Sequence, residues 1–100
     1  MDERLMDSIL QSKRECYVTK DTNGLHVHHV FYGTANRKLS EKYGLKVWLR
    51  YDWHNGSNYG VHNGNTILDE KLKKAAQEKA MEVYGWTKED FIHIFGKNYL

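Results

Sequence analysis

The chain has one cysteine, no proline, no long apolar run and almost no net charge. Each shortage narrows the field. A lone Cys16 excludes an internal disulfide framework and any Cys₄ or Cys₂His₂ zinc site, and it suits a reducing, cytoplasmic setting. No apolar stretch approaches the roughly 20 residues that a membrane-spanning helix needs, so no membrane association is expected. The opening Met1-Asp2-Glu3-Arg4 is charged and leads into no apolar h-region, so no secretory signal is visible. Fifteen Lys and Arg against thirteen Asp and Glu leave a formal charge of +2. Such a balance implies nucleic-acid binding only where basic residues cluster. With proline absent and no linker, repeat or low-complexity tract, the 100 residues read as a single domain, 1–100.

What is present points to a folded core. Apolar residues make up 40% and aromatics 13%, with three Trp, seven Tyr and three Phe. That composition excludes disorder, which needs few aromatics. A chain this short buries about 60–70% of its unfolded surface, enough for one modest core. Phe31, Tyr43, Trp48, Trp53 and Trp86 read as core residues, and Cys16 as a small buried apolar one. Six histidines complete the picture, five of them between positions 26 and 62.

Leu5, Met6, Ile9 and Leu10 have helical spacing within residues 1–13, an N-terminal helix or arm. Glu15 to Thr19 reads as a short strand, Asn23-Gly24 as a hairpin turn, and Leu25 to Tyr32 as a second strand rich in β-branched and aromatic residues. The polar stretch Asn36 to Tyr43 reads as a loop or one helical turn closed by Gly44. Leu45 to Tyr51 is a third strand. Asp52 to Asn65, with Gly56, Gly60, Gly64 and four Asn, is poor material for a regular helix. From Thr66, an N-cap with Asp69 three residues on, an amphipathic helix runs to Tyr84 and stops at Gly85. Thr87 and Asp90 open a last short helix that ends at Gly96. Strands first and helices after read as an α+β fold.

Two constellations carry chemistry. The first is His26-Val27-His28-His29. On a regular strand His26 and His28 share a face and His29 points the other way, so the tandem pair serves one site only if the strand twists or ends there. The second is Asp52 to His62, in which His54, Asn58 and His62 recur at i,i+4 and meet on one face if the segment coils. Imidazole suits transition metals and an amide oxygen suits a harder ion. The competing reading is a glycine-rich loop whose Asn side chains bond their own backbone.

The order of these residues, a strand ending in His-His, a loop, a second strand, then His-Asn and a further Asn or His, resembles the HNH nucleases, the ββα-metal or His-Me finger group. The stretch HHVFYGTANRKLSEKYGLKVWLRYDWHNGSNYGVHNG is more similar still to small HNH-like proteins of phages and prophages of Gram-positive bacteria, and the ending FGKNYL fits that subgroup. The resemblance covers about residues 16–62. It implies a ββα-metal core over 15–65 built on short β-hairpins and followed by C-terminal helices over 66–100. It further implies a metal-dependent endonuclease that hydrolyses DNA phosphodiesters in the bacterial host cytoplasm. By position, His29 would be the general base, and His28, His54 and Asn58 the ligands of one divalent metal (Mg²⁺, Mn²⁺, Ni²⁺ or Zn²⁺), with His62 as the substitute for Asn58. The family's middle Asn, which orients the base, falls near Leu45 or Lys46 here; Asn36, or a backbone carbonyl, takes that part. The family's four-cysteine zinc knuckle is absent, so the aromatic core holds the fold.

The chemistry is coherent on its own terms. One metal offsets charge on the phosphate and the leaving oxygen, and an imidazole accepts a proton from water near neutral pH. Arg37, Lys38, Lys46 and Arg50 flank the His cluster and read as DNA phosphate contacts, with ordinary solvated charge as the bland alternative. A domain this small covers only a few base pairs, which favours a homodimer or a phage replication, recombination or packaging partner. Two other readings compete: a catalytically inactive DNA-binding or recombination-accessory module of the same fold, and a structural His-metal site.

Overall fold

A computed structural model describes residues 8–100. Two strands, β1 (Leu25–His29) and β2 (Lys46–Arg50), pair antiparallel with Leu25 opposite Arg50 and His29 opposite Lys46. Three α-helices complete the α+β architecture: α1 (Thr34–Tyr43), α2 (Thr66–Tyr84) and α3 (Lys88–Phe95). Between β2 and α2 lie a π-helical turn, Asp52–Gly56, and a 3₁₀ turn, Val61–Asn63. No helix among the described residues is long and apolar enough to cross a membrane.

Several sequence expectations change here. The two strands of the sheet are joined by the full helix α1, where a loop or one helical turn was expected, and Asn23-Gly24 is not a hairpin joint. Glu15 to Thr19 is not a strand. It runs beside β2, and Tyr17 N–H donates to Trp48 C=O at 2.8 Å. Lys20 N–H then closes a turn onto Cys16 C=O, with Lys20 at φ +69°. The remaining edge donors of β2 go to side chains: Trp48 N–H to Gln11 Oε1 at 2.7 Å and Arg50 N–H to Cys16 Sγ at 3.3 Å. Side-chain acceptors thus cover an edge that a third strand was expected to pair. Residues 8–13 are not helical, and the rest of the expected N-terminal helix lies outside the described residues.

The stretch read as a loop is the ten-residue α1. Few of its residues are apolar, but Ser40 is buried, and its side chain does the anchoring. Its hydroxyl donates to Phe31 C=O at 2.7 Å and accepts from Phe31 N–H at 3.1 Å. Gly44, in the left-handed region at φ +73°, ends the helix with its N–H on Ser40 C=O. The later helices have the expected bounds. The N-cap of α2 is Asn65, whose side chain accepts from Leu68 N–H, rather than Thr66. Thr87 and Asp90 form a full capping box on α3.

The core lies between the inner face of the sheet and α2 and α3. Val47 and Leu49 of β2 share one buried apolar cluster with Leu72, Ala76 and Ala80 of α2, and Phe31 packs with Phe91, Phe95 and Tyr99 at centroid distances of 4.7 to 5.4 Å. Cys16, Phe31 and Trp48 are buried, while Tyr43, Trp53 and Trp86 pack partly buried against the core. Buried Gln77 ties down the chain end, accepting Tyr99 N–H at 2.7 Å and donating to Asn98 at 2.9 Å.

Ser40→Ala would strand the Phe31 N–H and C=O in the interior, a loss of about 2–3 kcal/mol. Urea unfolding of the variant is expected to show a midpoint shift of that size with an unchanged slope; a loss under about 0.5 kcal/mol would show that the hydroxyl does not anchor α1.

Candidate functional site

β1 ends at His29, and that ending settles how adjacent histidines reach one place. His28 and His29 both line a cavity of about 280 Å³, together with Tyr32, Arg37, His54 and His62. His54 comes from the π-helical turn and His62 from the 3₁₀ turn. Ring centroids are 5.2 Å apart for His28 and His54, 5.0 Å for His28 and His62, and 4.7 Å for His54 and His62. One nitrogen from each of the three lies within 4.8 Å of the others. A tetrahedral ion with bonds of about 2.0–2.1 Å needs nitrogens about 3.3–3.4 Å apart, which small side-chain rotations reach from here.

His28 is 1% exposed, and neither of its ring nitrogens has a hydrogen-bond partner. Buried polar groups are as a rule bonded, so the ring nitrogen that carries the lone pair is suited to a lone-pair acceptor. Burial, reinforced by the neighbouring His54 and His62, pushes the His28 pKa down to about 3. Burial likewise lowers His54 to about 4, with further repulsion from His62, His26 and His29. Both rings are therefore neutral at pH 7, the form that binds a metal.

The segment carrying His54 and His62 is held by polar contacts. The Arg50 guanidinium grips both oxygens of Asp52, at 2.7 and 2.8 Å, and also pairs with Asp21. Arg50, then the Tyr59 hydroxyl at 2.6 Å, hold the Asp52 carboxyl well below the usual carboxylate range. Gly60 lies so close to the His54 and Asp52 carbonyls that a Cβ would sit 3.0 and 3.1 Å from their oxygens. Asn63 donates to the carbonyls of Asn55 and Ser57, and Asn65 to that of Tyr59. The self-bonding Asn loop and the histidine cluster are thus one structure: these two asparagines build the loop that carries the rings.

The structure sorts the remaining sequence candidates. Asn58 is exposed and does not line the cavity; His62 stands there instead. Asn36 lies half-buried on α1, and the group bonded to His29 is Glu41, whose Oε1 is 2.8 Å from His29 Nε2. Arg37 and Lys38 are exposed on α1 and, with His29 and Glu41, line a second cavity of about 630 Å³. Lys46 is no phosphate contact: it is 1% exposed, with its ammonium 2.9 Å from Glu41 Oε2. Nor is Arg50 free for phosphate, since Asp21 and Asp52 take its guanidinium. Glu41, held below its ordinary range by the bonds from His29 and Lys46, is a site residue that sequence reasoning missed. A helical reading of 34–43 would have found it, because Glu41 then falls one turn from Arg37 and Lys38. His26, to which the sequence assigned no role, bonds His54 through the two Nδ1 atoms at 3.1 Å.

The lowered pKa of His28 fixes the sign of an acid response. The unfolded ring titrates near 6.5 and the folded ring near 3. Between these values the unfolded chain binds the extra proton, so stability is flat above pH 6.5 and falls as pH drops. In chelator-treated protein His28 alone is expected to lose about 2 kcal/mol by about pH 5, roughly 10 °C in Tm, and His54 adds a loss of the same sign. Thermal melts from pH 7.5 to 4.5 check this; a Tm flat across that range would mean that His28 is not buried in neutral form.

No family model matches the chain, and no curated protein or solved structure matches it either.

Proposed function

We propose that the chain is a metal-dependent endonuclease of the HNH type, with a ββα-metal core, that hydrolyses DNA phosphodiesters with His29 as general base. The single observation that carries the reading is the buried, unpartnered His28 ring facing His54 and His62, with His29 beside it on the same cavity. In this reading β1 and β2 are the two strands, and the helical turn at Asp52–Gly56 stands where the family's ligand helix begins.

His28, His54 and His62 would hold the ion; three imidazoles suit Zn²⁺ or Ni²⁺ better than Mg²⁺, which prefers oxygen donors. When bound, a divalent metal supplies Lewis-acid stabilisation of charge on the phosphate and the leaving oxygen. The protein's own groups do the rest. His29 Nε2 donates to Glu41 Oε1, which leaves Nδ1 to accept a proton from the attacking water. Lys46, buried against the other carboxylate oxygen, keeps Glu41 charged and fixed in place. Glu41 thus fills the orienting part that Asn36 was expected to play. Arg37 and Lys38 on the rim offer cations to the flanking phosphates.

Plasmid cleavage with Mg²⁺, Mn²⁺, Ni²⁺ and Zn²⁺ in turn tests this. His29→Ala is expected to lower the rate by roughly 10²–10⁴-fold while leaving metal and DNA binding nearly intact. Glu41→Gln is expected to lower kcat by about tenfold or more with little change in KM. Folded wild-type protein that cleaves with none of the four metals would remove the nuclease reading. Salt-sensitive DNA binding alone would then leave a binding module.

A further inference from the structure

We propose that His26 is a positioning residue for His54, a hydrogen-bond partner that fixes the ring so that its Nε2 is the nitrogen presented to a metal dication. The proposal rests on the reading of His28, His54 and His62 as a metal site and adds a fourth histidine that is not itself a ligand.

The geometry is direct. His26 and His28 sit two apart on β1 and so share a face of the strand. The two Nδ1 atoms of His26 and His54 are 3.1 Å apart, and the rings meet edge to face at 84° with centroids 5.3 Å apart. Among the described residues, no other group is hydrogen-bonded to the His54 ring. Two imidazole nitrogens at this distance must share one hydrogen, because lone pair against lone pair repels. A neutral ring has only one N–H. If His54 Nδ1 carries it, the lone pair stands on Nε2, the only ring nitrogen left to meet an ion beside His28 and His62. The opposite assignment puts the hydrogen on Nε2 and blocks the site. Metal binding therefore selects the tautomer in which His54 donates, and the bond to His26 stabilises that tautomer and holds the ring in place.

The need for such a partner follows from where His54 sits. It is carried on a single π-helical turn rather than on a long helix, and its ring is only half-buried. His28 is held by burial and ring contacts, with no hydrogen bond. Without a bond at Nδ1, His54 would sample both tautomers and more than one ring orientation. A hydrogen bond from a ligating histidine to an outer group is typically worth 10–100-fold in metal affinity.

His26 is exposed, so its replacement leaves the core intact. The test compares wild type, His26→Phe and His26→Asn in chelator-competition titrations with Zn²⁺ and in the visible spectrum with Co²⁺. Phe keeps ring bulk and removes the acceptor; the Asn side-chain oxygen replaces it. His26→Phe is expected to bind Zn²⁺ roughly 10–100-fold more weakly, and His26→Asn to stay within about threefold of wild type. The Co²⁺ spectrum is expected to keep its shape in all three, because the donor atoms are unchanged. Equal affinity of His26→Phe and wild type would overturn the proposal, as would equal weakening in both variants. A changed Co²⁺ spectrum in His26→Phe would overturn it too, making His26 a ligand. Wild-type protein that takes up neither ion overturns the metal reading itself, a failure distinct from the others.

Discussion

An imidazole taken out of water with both nitrogens unbonded costs on the order of 1–3 kcal/mol, and the chain keeps His28 in that condition. Much of the surrounding structure serves to hold that ring there. The Ser40 hydroxyl locks α1 onto Phe31, just past the end of β1, and so fixes where the strand stops and where His29 turns. Arg50, which closes β2 opposite Leu25, reaches forward to Asp52 and sets the turn that delivers His54. The seat of His28, facing two more imidazoles, is the feature on which the proposed metal site rests.

Charge is arranged with the same economy. Several cations near the site are committed to carboxylates: Lys46 to Glu41, Arg50 to Asp21 and Asp52, and Lys73 to Asp69 at 2.9 Å. Lys73 also lies 4.4 Å from the centre of the Tyr32 ring, which itself meets His62. A net charge of +2 therefore says little about which cations are free. Those three cations face four carboxylates, and the positive charge beside the histidines falls to Arg37 and Lys38.

Legibility in the sequence followed the range of the interactions. α2 and α3 are set by local signals, an apolar stripe, a capping box and a terminal glycine, and all of these can be read within a few residues. The centres of both strands were visible for the same reason. α1 was not, because it is anchored by a serine and not by an apolar stripe. The same gap hid Glu41, whose partners lie twelve residues back and five residues on. Lys46 looked like a surface cation because strand alternation says nothing of what covers each face; β2 is covered on both. The choice between Asn58 and His62 depends on a π turn followed by a 3₁₀ turn, neither of which keeps the i,i+4 spacing of a regular helix.

That π turn also sets a rule of length. A single π turn is an α-helical turn carrying one inserted residue. Between Arg50, which anchors the segment at Asp52, and Gly60, which packs on the His54 carbonyl, the residue count is thereby fixed. Side chains such as Asn55, which point to solvent, are free to vary in kind. Loss of one residue there would tighten the turn and swing His54 about a third of a revolution away from its two companions. Among descendants of this sequence, drift should be recorded in this loop as substitutions and almost never as gaps.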